Sequence, residues 1–141
     1  WTSKEDTRFF IQKTKEAGVV VMGRKTFDTI GKPLKGRKII VMTRSPYESE
    51  MDGVEFTNHQ PEEIITELKN SGHESVVVAG GSAIYSEFIK EGLVTDYFLT
   101  IEPVLFGGGI PLAQGFDRID LRLVDSTKLN EQSVLLHFQQ P

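Results

Sequence analysis

A cluster of cationic side chains between residues 24 and 44 is the feature of this sequence best suited to binding chemistry. It holds seven Lys or Arg residues and one acid, Asp28, for a local balance of +6 in a chain whose net charge is -4. A positive segment on an acidic protein indicates a small anionic ligand more than nucleic acid. Arginine and lysine also suit phosphate. The alternative interpretation is a basic loop that is simply solvated.

A second candidate group lies near the start of the chain. Asp6, Phe10 and Thr14 recur every four residues, so on a helix they share one face. Thr2 and Glu5 predict a capping box at the start of this helix, which we expect to end near residue 15. The helix then carries an acid beside an aromatic ring. An acid in a first helical turn also favours the helix dipole, so Asp6 has a purely structural interpretation as well.

The third candidate is the pair Gly80-Gly81, which follows an apolar run and precedes Ser82 at a helix start. A strand, two glycines and a helix N-terminus allow the backbone to approach a phosphate closely. A tight strand-to-helix turn without a ligand is an equally good interpretation of the residues alone.

Short apolar runs predict the strands that must position these groups. The first ends at Gly23, a short helix starts at Arg24, and Gly31 is its stop signal. The predicted strands cover residues 19–22, 39–42, 54–56, 75–79 and 96–101, with a closing hairpin of 121–124 and 134–138. Further helices are predicted from residue 61 to about residue 70 and after residue 81.

Composition limits the class of protein. The chain has 141 residues, 38% hydrophobic and 26% charged, and no Cys, which predicts one ordinary domain without a disulfide scaffold, thiolate metal site or thiol nucleophile. These features are compatible with a cytoplasmic protein, and no apolar run reaches membrane-spanning length. His59, His73 and His137 lack metal-ligand spacing, so we expect surface or loop positions for them and no metal.

The segment from residue 22 to residue 43 resembles the dihydrofolate reductase superfamily. Its pattern, Gly-Arg-x-Thr-x-x-x-Ile-Gly-x-Pro-Leu-x-Gly-Arg followed by an apolar strand, matches residues 23–37 and the run after them. The early segment with Trp1, Asp6, Phe10 and Thr14 is similar to the same family. Residues 101–109 are more similar to the reductase domain of riboflavin biosynthesis.

The resemblance implies an α/β fold that is dihydrofolate reductase-like: a central mixed, mostly parallel sheet with helices on both faces and a C-terminal antiparallel hairpin. We expect one such domain over residues 1–141. In the family a strand and a flexible loop come before the residue that matches Trp1, and we expect them to be absent here.

The resemblance also implies two groups of site residues. Asp6 and Thr100 would be catalytic, because the family's threonine bonds the carboxylate that binds the pteridine. The residues expected to bind substrate are Trp1, Phe10, Ile30, Leu34 and Arg37. The residues expected to bind the cofactor NADPH are Gly23, Arg24, Lys25, Thr26, Thr43, Arg44, Ser45, Gly80, Gly81, Ser82, Ala83, Ile84 and Tyr85.

The function implied is an NADPH-dependent oxidoreductase that reduces dihydrofolate to tetrahydrofolate. One alternative is a riboflavin-pathway reductase of a ribosylamino-pyrimidine. Another is a nucleotide-binding domain without catalysis. The expected partner is a small-molecule substrate, with neither nucleic acid nor membrane, and a homodimer is left open.

Overall fold

The computed structural model describes residues 3–141, which form four helices and seven strands. The helices are α1 (Lys4–Ala17), α2 (Arg24–Ile30), α3 (Pro61–Asn70) and α4 (Ser82–Lys90). The strands are β1 (Val19–Gly23), β2 (Lys38–Met42), β3 (Val54–Thr57), β4 (Val77–Val78), β5 (Asp96–Ile101), β6 (Arg122–Lys128) and β7 (Val134–Gln139). Within residues 3–141, no helix combines the length and the apolar character needed to cross a membrane.

The larger sheet is parallel and has the strand order β3-β2-β1-β4. Its central strand β1 is buried along its whole length, as expected for a parallel strand covered on both faces. Phe27 of α2 is buried against one face, and Phe10 of α1 packs on the same cluster. Ile64, Leu68 and Phe88 from α3 and α4 are buried against the other face. The core therefore lies on both sides of β1.

The smaller sheet is antiparallel, with β7 between β5 and β6. The predicted α/β fold with helices on both faces and a closing hairpin is confirmed. Its strands are hydrogen-bonded as two sheets, since neither the outer edge of β4 nor that of β5 pairs with another strand in the described residues. All seven residues of β6 are exposed.

Helix α1 differs from its prediction at both ends. Ser3 is the N-cap residue, and its side chain accepts a hydrogen bond from the Asp6 amide at 3.1 Å. The third residue of the helix is therefore Asp6, whereas the predicted capping box placed Glu5 at that position. Thr2, the predicted cap, lies outside the described residues. The helix continues to Ala17 because Gly18, with φ 78°, adopts the left-handed conformation that ends it.

Strand β4 is shorter and less buried than predicted. The sequence predicts a buried strand over residues 75–79. In the structure only Val77–Val78 form the strand that pairs with β1, and both residues are half-buried. Only one edge of β4 has a neighbouring strand in the described part of the chain, so its other side lacks the cover that buries β1.

The expectation of surface or loop positions holds for His59 but is wrong for His137. His137 lies within β7 opposite Phe98, and the two rings stack at 4.2 Å. Its Nε2 is 2.7 Å from Oδ1 of Asp96, and this hydrogen bond lowers the pKa of the Asp96 carboxyl. Strand pairing thus gives His137 an aromatic and an acidic neighbour that its sequence position did not indicate.

Candidate active site

Three strands of the parallel sheet end at one place and create the frame of the candidate site. Gly23 at the end of β1 lies opposite Met42 at the end of β2, and Val21 lies opposite Val78 of β4. The Gly23 amide donates to the carbonyl oxygen of Gly80 at 2.8 Å. Because carboxyl ends of parallel strands meet at one edge, the residues that follow them lie together at the edge where α/β proteins commonly bind ligands.

Two glycines permit a close approach between β1, β4 and α4. A Cβ atom added to Gly23 would lie 3.0 Å from a side-chain carbon of Ile84. Gly80 has φ 102°, and a Cβ there would lie 3.2 Å from the ring of Tyr85. The Gly80-Gly81 peptide bond is cis. The structure therefore brings the predicted cofactor residues of the first strand end and of the Gly-Gly turn into contact.

Tyr85 and Thr26 border the Gly-Gly turn from two different helices. Burial raises the pKa of the Tyr85 phenol above its ordinary value, so the phenol stays neutral at physiological pH. A Cβ on Gly81 would lie 3.7 Å from the Thr26 hydroxyl oxygen. Gly81 itself is exposed, which leaves backbone accessible beside this hydroxyl.

Arg24 is the most closely surrounded cation of the basic segment. Its Nε donates to Oδ1 of Asp28 at 3.0 Å, and this hydrogen bond raises the pKa of the guanidinium. The guanidinium carbon lies 5.4 Å from the ring centroid of Tyr47 and 5.2 Å from that of Phe56. Both distances are within the range of a cation–π contact.

The other residues predicted to bind the cofactor lie around the same edge of the parallel sheet and make fewer contacts with the rest of the protein. The amide of Thr43 donates to the Thr57 carbonyl at 2.9 Å, which extends the pairing of β2 and β3 by one residue. Arg44 and Ser45 follow it and are exposed. Lys25 and Ala83 are also exposed, whereas Ser82, the first residue of α4, is half-buried.

Asp6 and Thr100 meet although 94 positions separate them in the chain. The Thr100 hydroxyl, on β5, donates to Oδ1 of Asp6, on α1, at 2.6 Å. Both residues are half-buried. A short, charge-assisted hydrogen bond of this kind fixes the orientation of the carboxylate.

Phe10, Ile30 and Leu34 come from three different segments and pack against one core cluster. All three are half-buried, so each presents part of its surface outside that cluster. Phe10 follows Asp6 by one helical turn. Phe10 thus places one apolar side chain of this group near Asp6 along α1. Trp1, the remaining apolar residue predicted there, lies outside the described residues.

Arg37 is held by two neutral acceptors. Its Nε donates to the Lys35 carbonyl at 3.1 Å, and its Nη1 donates to the Thr14 hydroxyl at 3.2 Å. Thr14 is fully buried on α1, so this contact ties the basic loop to the helix that carries Asp6. A guanidinium has five N–H donors, which leaves further donors for an anion.

Sequence reasoning missed the groups around Arg24. Asp28 could have been found, because it lies one helical turn after Arg24 on a predicted helix. Tyr47 and Phe56 gave no such signal, since one lies in a loop and the other on β3, and only folding stacks their rings at 4.3 Å. Among the described residues, no group of three or more His, Asp or Glu side chains is placed to hold a metal.

The sequence is similar to those of several known proteins. The family model described as dihydrofolate reductase matches residues 1–101. The dihydrofolate reductase of Bacillus subtilis (strain 168) is 35% identical over 92 residues, which cover 62% of this chain and 49% of that enzyme. This chain therefore spans about half the length of that relative. The uncharacterized protein YwjB of the same organism is 27% identical over 124 residues, covering 84% of this chain and 71% of YwjB.

A solved structure has the same fold. It belongs to a protein of Shewanella sp. PV-4 attributed to riboflavin biosynthesis, and it aligns with a TM-score of 0.84 at 21% identity. The alignment covers 94% of this chain and 78% of that protein. At this level of identity the likeness concerns the fold alone.

The close contact between Gly80 and Tyr85 predicts that a methyl group added at Gly80 lowers the free energy of unfolding. We expect Gly80→Ala to destabilise the protein more than Gly72→Ala, because Gly72 has a similar φ of 91° but nothing within 4 Å of an added Cβ. Backbone strain should cost both variants about 1–2 kcal/mol. Overpacking against Tyr85 should cost Gly80→Ala about 1–3 kcal/mol more. Urea unfolding measures the difference, and equal losses would contradict the tight contact.

Proposed function

Because the chain belongs to the dihydrofolate reductase family, we propose that it is an NADPH-dependent reductase that converts dihydrofolate to tetrahydrofolate. The observation that carries this proposal is the 2.6 Å hydrogen bond from Thr100 to Asp6. It orients a carboxylate from one end of the chain with a hydroxyl from a distant strand, one helical turn from Phe10, which shares a core cluster with Ile30 and Leu34. A carboxylate held in this way suits a flat, nitrogen-rich ring.

The residues at the strand ends would suit the phosphates of a dinucleotide. Gly80 and Gly81 place backbone without side chains at one strand end, and Arg24 and Arg44 place cations at the two others. Guanidinium groups pair with phosphate through charge-assisted hydrogen bonds. NADPH, when bound, supplies the hydride, while the protein positions the reactants and provides the electrostatic environment.

Asp6 would bind the substrate ring and favour its protonation. An ionised carboxylate has about four acceptor positions, so it can accept ring N–H groups alongside the Thr100 hydroxyl. The adjacent Phe10 would pack on the ring and restrict water around the carboxylate. A negative charge close to the ring stabilises its protonated form, and reduction of dihydrofolate requires one proton in addition to the hydride.

Arg37 is the residue that supports a folate substrate. A folate ends in a glutamate whose carboxylate a guanidinium can bind through two parallel hydrogen bonds. The neutral partners of Arg37, the Thr14 hydroxyl and the Lys35 carbonyl, orient the side chain without cancelling its charge. A ribosylamino-pyrimidine lacks this tail.

A riboflavin-pathway reductase is the second candidate function. Residues 101–109 favour it, since the segment Ile-Glu-Pro-Val-Leu-Phe-Gly-Gly-Gly is more similar to that branch than to dihydrofolate reductase. A nucleotide-binding domain without catalysis is the third candidate. Following NADPH oxidation with dihydrofolate and with the ribosylamino-pyrimidine distinguishes the three. The third predicts cofactor binding with no oxidation.

The role of Asp6 is tested by Asp6→Asn, which keeps the side chain's shape and removes its charge. We expect turnover of dihydrofolate to fall about 10²- to 10⁴-fold, with NADPH affinity nearly unchanged, because only protonation of the substrate is affected. Glu5→Gln is the matched control: Glu5 is the neighbouring acid of α1 and binds Asn130 of the closing hairpin at 3.2 Å. Normal turnover by Asp6→Asn with a lower melting temperature would mean that Asp6 only stabilises the helix start.

Arg37→Leu tests the choice of substrate. We expect KM for dihydrofolate to rise about 10- to 100-fold, as for the loss of one charge-assisted contact, while KM for a pteridine without the glutamate tail stays constant. Lys35→Leu removes an exposed cation from the same turn and should change neither value. Equal effects of Arg37→Leu on both substrates would make Arg37 structural and would favour the riboflavin-pathway candidate.

An exposed apolar loop supports a homodimer. Residues 103–116 contain no charged side chain, and Leu105, Phe106 and Ile110 are 100%, 81% and 87% exposed. With Val104, Leu112 and Phe116, these side chains expose roughly 600–800 Å², taking roughly 150–200 Å² for a fully exposed residue of this size. A standard interface buries about 800 Å² per partner. The loop is uncharged, so two acidic chains can meet there without opposing like charges.

We expect light scattering to give the mass of a dimer for the protein and for Ile11→Ser, which removes an exposed apolar side chain on α1. The double variant Leu105→Ser, Phe106→Ser should be a monomer, because the interface loses two of its three most exposed apolar side chains. A monomeric parent protein, or a dimeric double variant, would refute this surface as the contact.

A further inference from the structure

The contacts around Arg24 point to Tyr47 as a residue that influences which cofactor binds, although it does not contact the reacting atoms. Tyr47 is half-exposed in the loop after β2, three residues beyond Arg44. Its ring stacks on Phe56 at 4.3 Å with an angle of 23° between the planes. Phe56 is 7% exposed and also meets Phe27 edge-on at 5.7 Å. Tyr47 is therefore anchored on the core although half of its surface is exposed.

Arg24 is enclosed by this aromatic pair and by an acid. The guanidinium carbon lies beside the stacked pair, 5.4 Å from the ring centroid of Tyr47 and 5.2 Å from that of Phe56. The Nε–H is engaged by Asp28 at 3.0 Å. With Nε engaged by Asp28 and the Tyr47 side chain contributing a weaker hydrogen bond, the terminal NH2 groups retain donors suited to an anion. Those are the groups that bind phosphate in the bidentate manner.

Asp28 competes only weakly for the charge of Arg24. The side chains of Arg24 and Asp28 are 41% and 58% exposed, and ion pairs at such exposed positions contribute little net free energy. A phosphate dianion close to the terminal NH2 groups can therefore interact with Arg24 while Asp28 keeps its hydrogen bond to Nε. The arrangement restrains a long, flexible side chain before the anion arrives, which lowers the entropic cost of binding.

We propose that Tyr47 is a positioning residue that, with Phe56 and Asp28, holds the Arg24 guanidinium where it selects the 2′-phosphate of NADPH over the free hydroxyl of NADH. The inference rests on the proposed function, in which Arg24 and Arg44 are the cations that bind the phosphates of the cofactor. Tyr47 acts through Arg24 and requires no contact with the cofactor. A different role, direct stacking of Tyr47 on the adenine, would affect NADPH and NADH equally.

The test is a double-mutant cycle on cofactor affinity, measured by fluorescence titration of the purified protein with NADPH and with NADH. Tyr47→Leu should weaken NADPH binding about two- to fivefold, the effect expected for an exposed cation–π contact, and leave NADH binding unchanged. Tyr47→Phe keeps the ring and removes the phenol, so it should retain more of the parent affinity than Tyr47→Leu. Arg24→Ala should weaken NADPH binding more strongly, and adding Tyr47→Leu to it should cause no further loss.

Each contrary result has a distinct meaning. A loss in Tyr47→Leu that is equal for both cofactors, or that persists in the Arg24→Ala background, overturns the positioning role. An unchanged NADPH affinity in Tyr47→Leu, with a clear loss in Arg24→Ala, overturns this inference and leaves the proposed function intact. An unchanged affinity in Arg24→Ala overturns this inference and the assignment of Arg24 to phosphate binding. Thermal unfolding of each variant checks that the half-exposed Tyr47 can be replaced without loss of the fold.

Discussion

The pairing of β1 with a parallel strand on each side is the constraint on which the site depends. Because β1 is apolar on both faces, a shift of one residue would bury a similar set of side chains, and burial alone specifies its register weakly. The glycines specify it better. The bond from the Gly23 amide to the Gly80 carbonyl exists only in one register, and so does the packing of Ile84 against Gly23, where an added Cβ would lie 3.0 Å from the Ile84 side chain. The close packing that sets the register also brings the predicted cofactor residues together.

Helix α1 joins the two sheets. Phe10 packs on the core of the parallel sheet, whereas Phe9 lies 5.3 Å from Phe98 of β5, and the Lys13 ammonium lies 4.8 Å from the same ring. Since the two sheets share no backbone pairing in the described residues, these side chains hold β5 near the parallel sheet. The bond between Thr100 and Asp6 belongs to this contact, so the proposed catalytic pair also contributes to the fold.

The basic segment shows two ways of keeping a cation available. Arg37 is oriented by neutral acceptors, a hydroxyl and a carbonyl, and retains its full charge. Arg24 is oriented by an acid and two rings, and water screens the acid because both partners are exposed. In a chain of net charge -4, such local arrangements concentrate positive potential where an anion is expected to bind.

The sequence alone determined the local elements. Short apolar runs predicted β1, β2 and β5, and the glycine and proline signals predicted α2 and α3, because strand burial and helix ends depend on neighbouring residues. The residue patterns also indicated the basic segment and the Gly-Gly turn. The association of Asp6 with Thr100 came from a family resemblance, since no periodicity relates residues 94 positions apart.

Tertiary structure decided what depends on pairing between distant segments. Which strand edges meet decides three features: the division into two sheets, the short β4 and the stacking of His137 on Phe98. The local spacing of residues does not encode which edges meet. Tyr47 is the clearest case. Tyr47 is a loop residue after a proline, and its sequence position predicted no role for it. In the structure β3 places Phe56 against the Tyr47 ring, and α2 places Arg24 close to both rings. Contacts among three separate segments arise only when the chain folds, so the sequence named the cation and the fold decided what holds it.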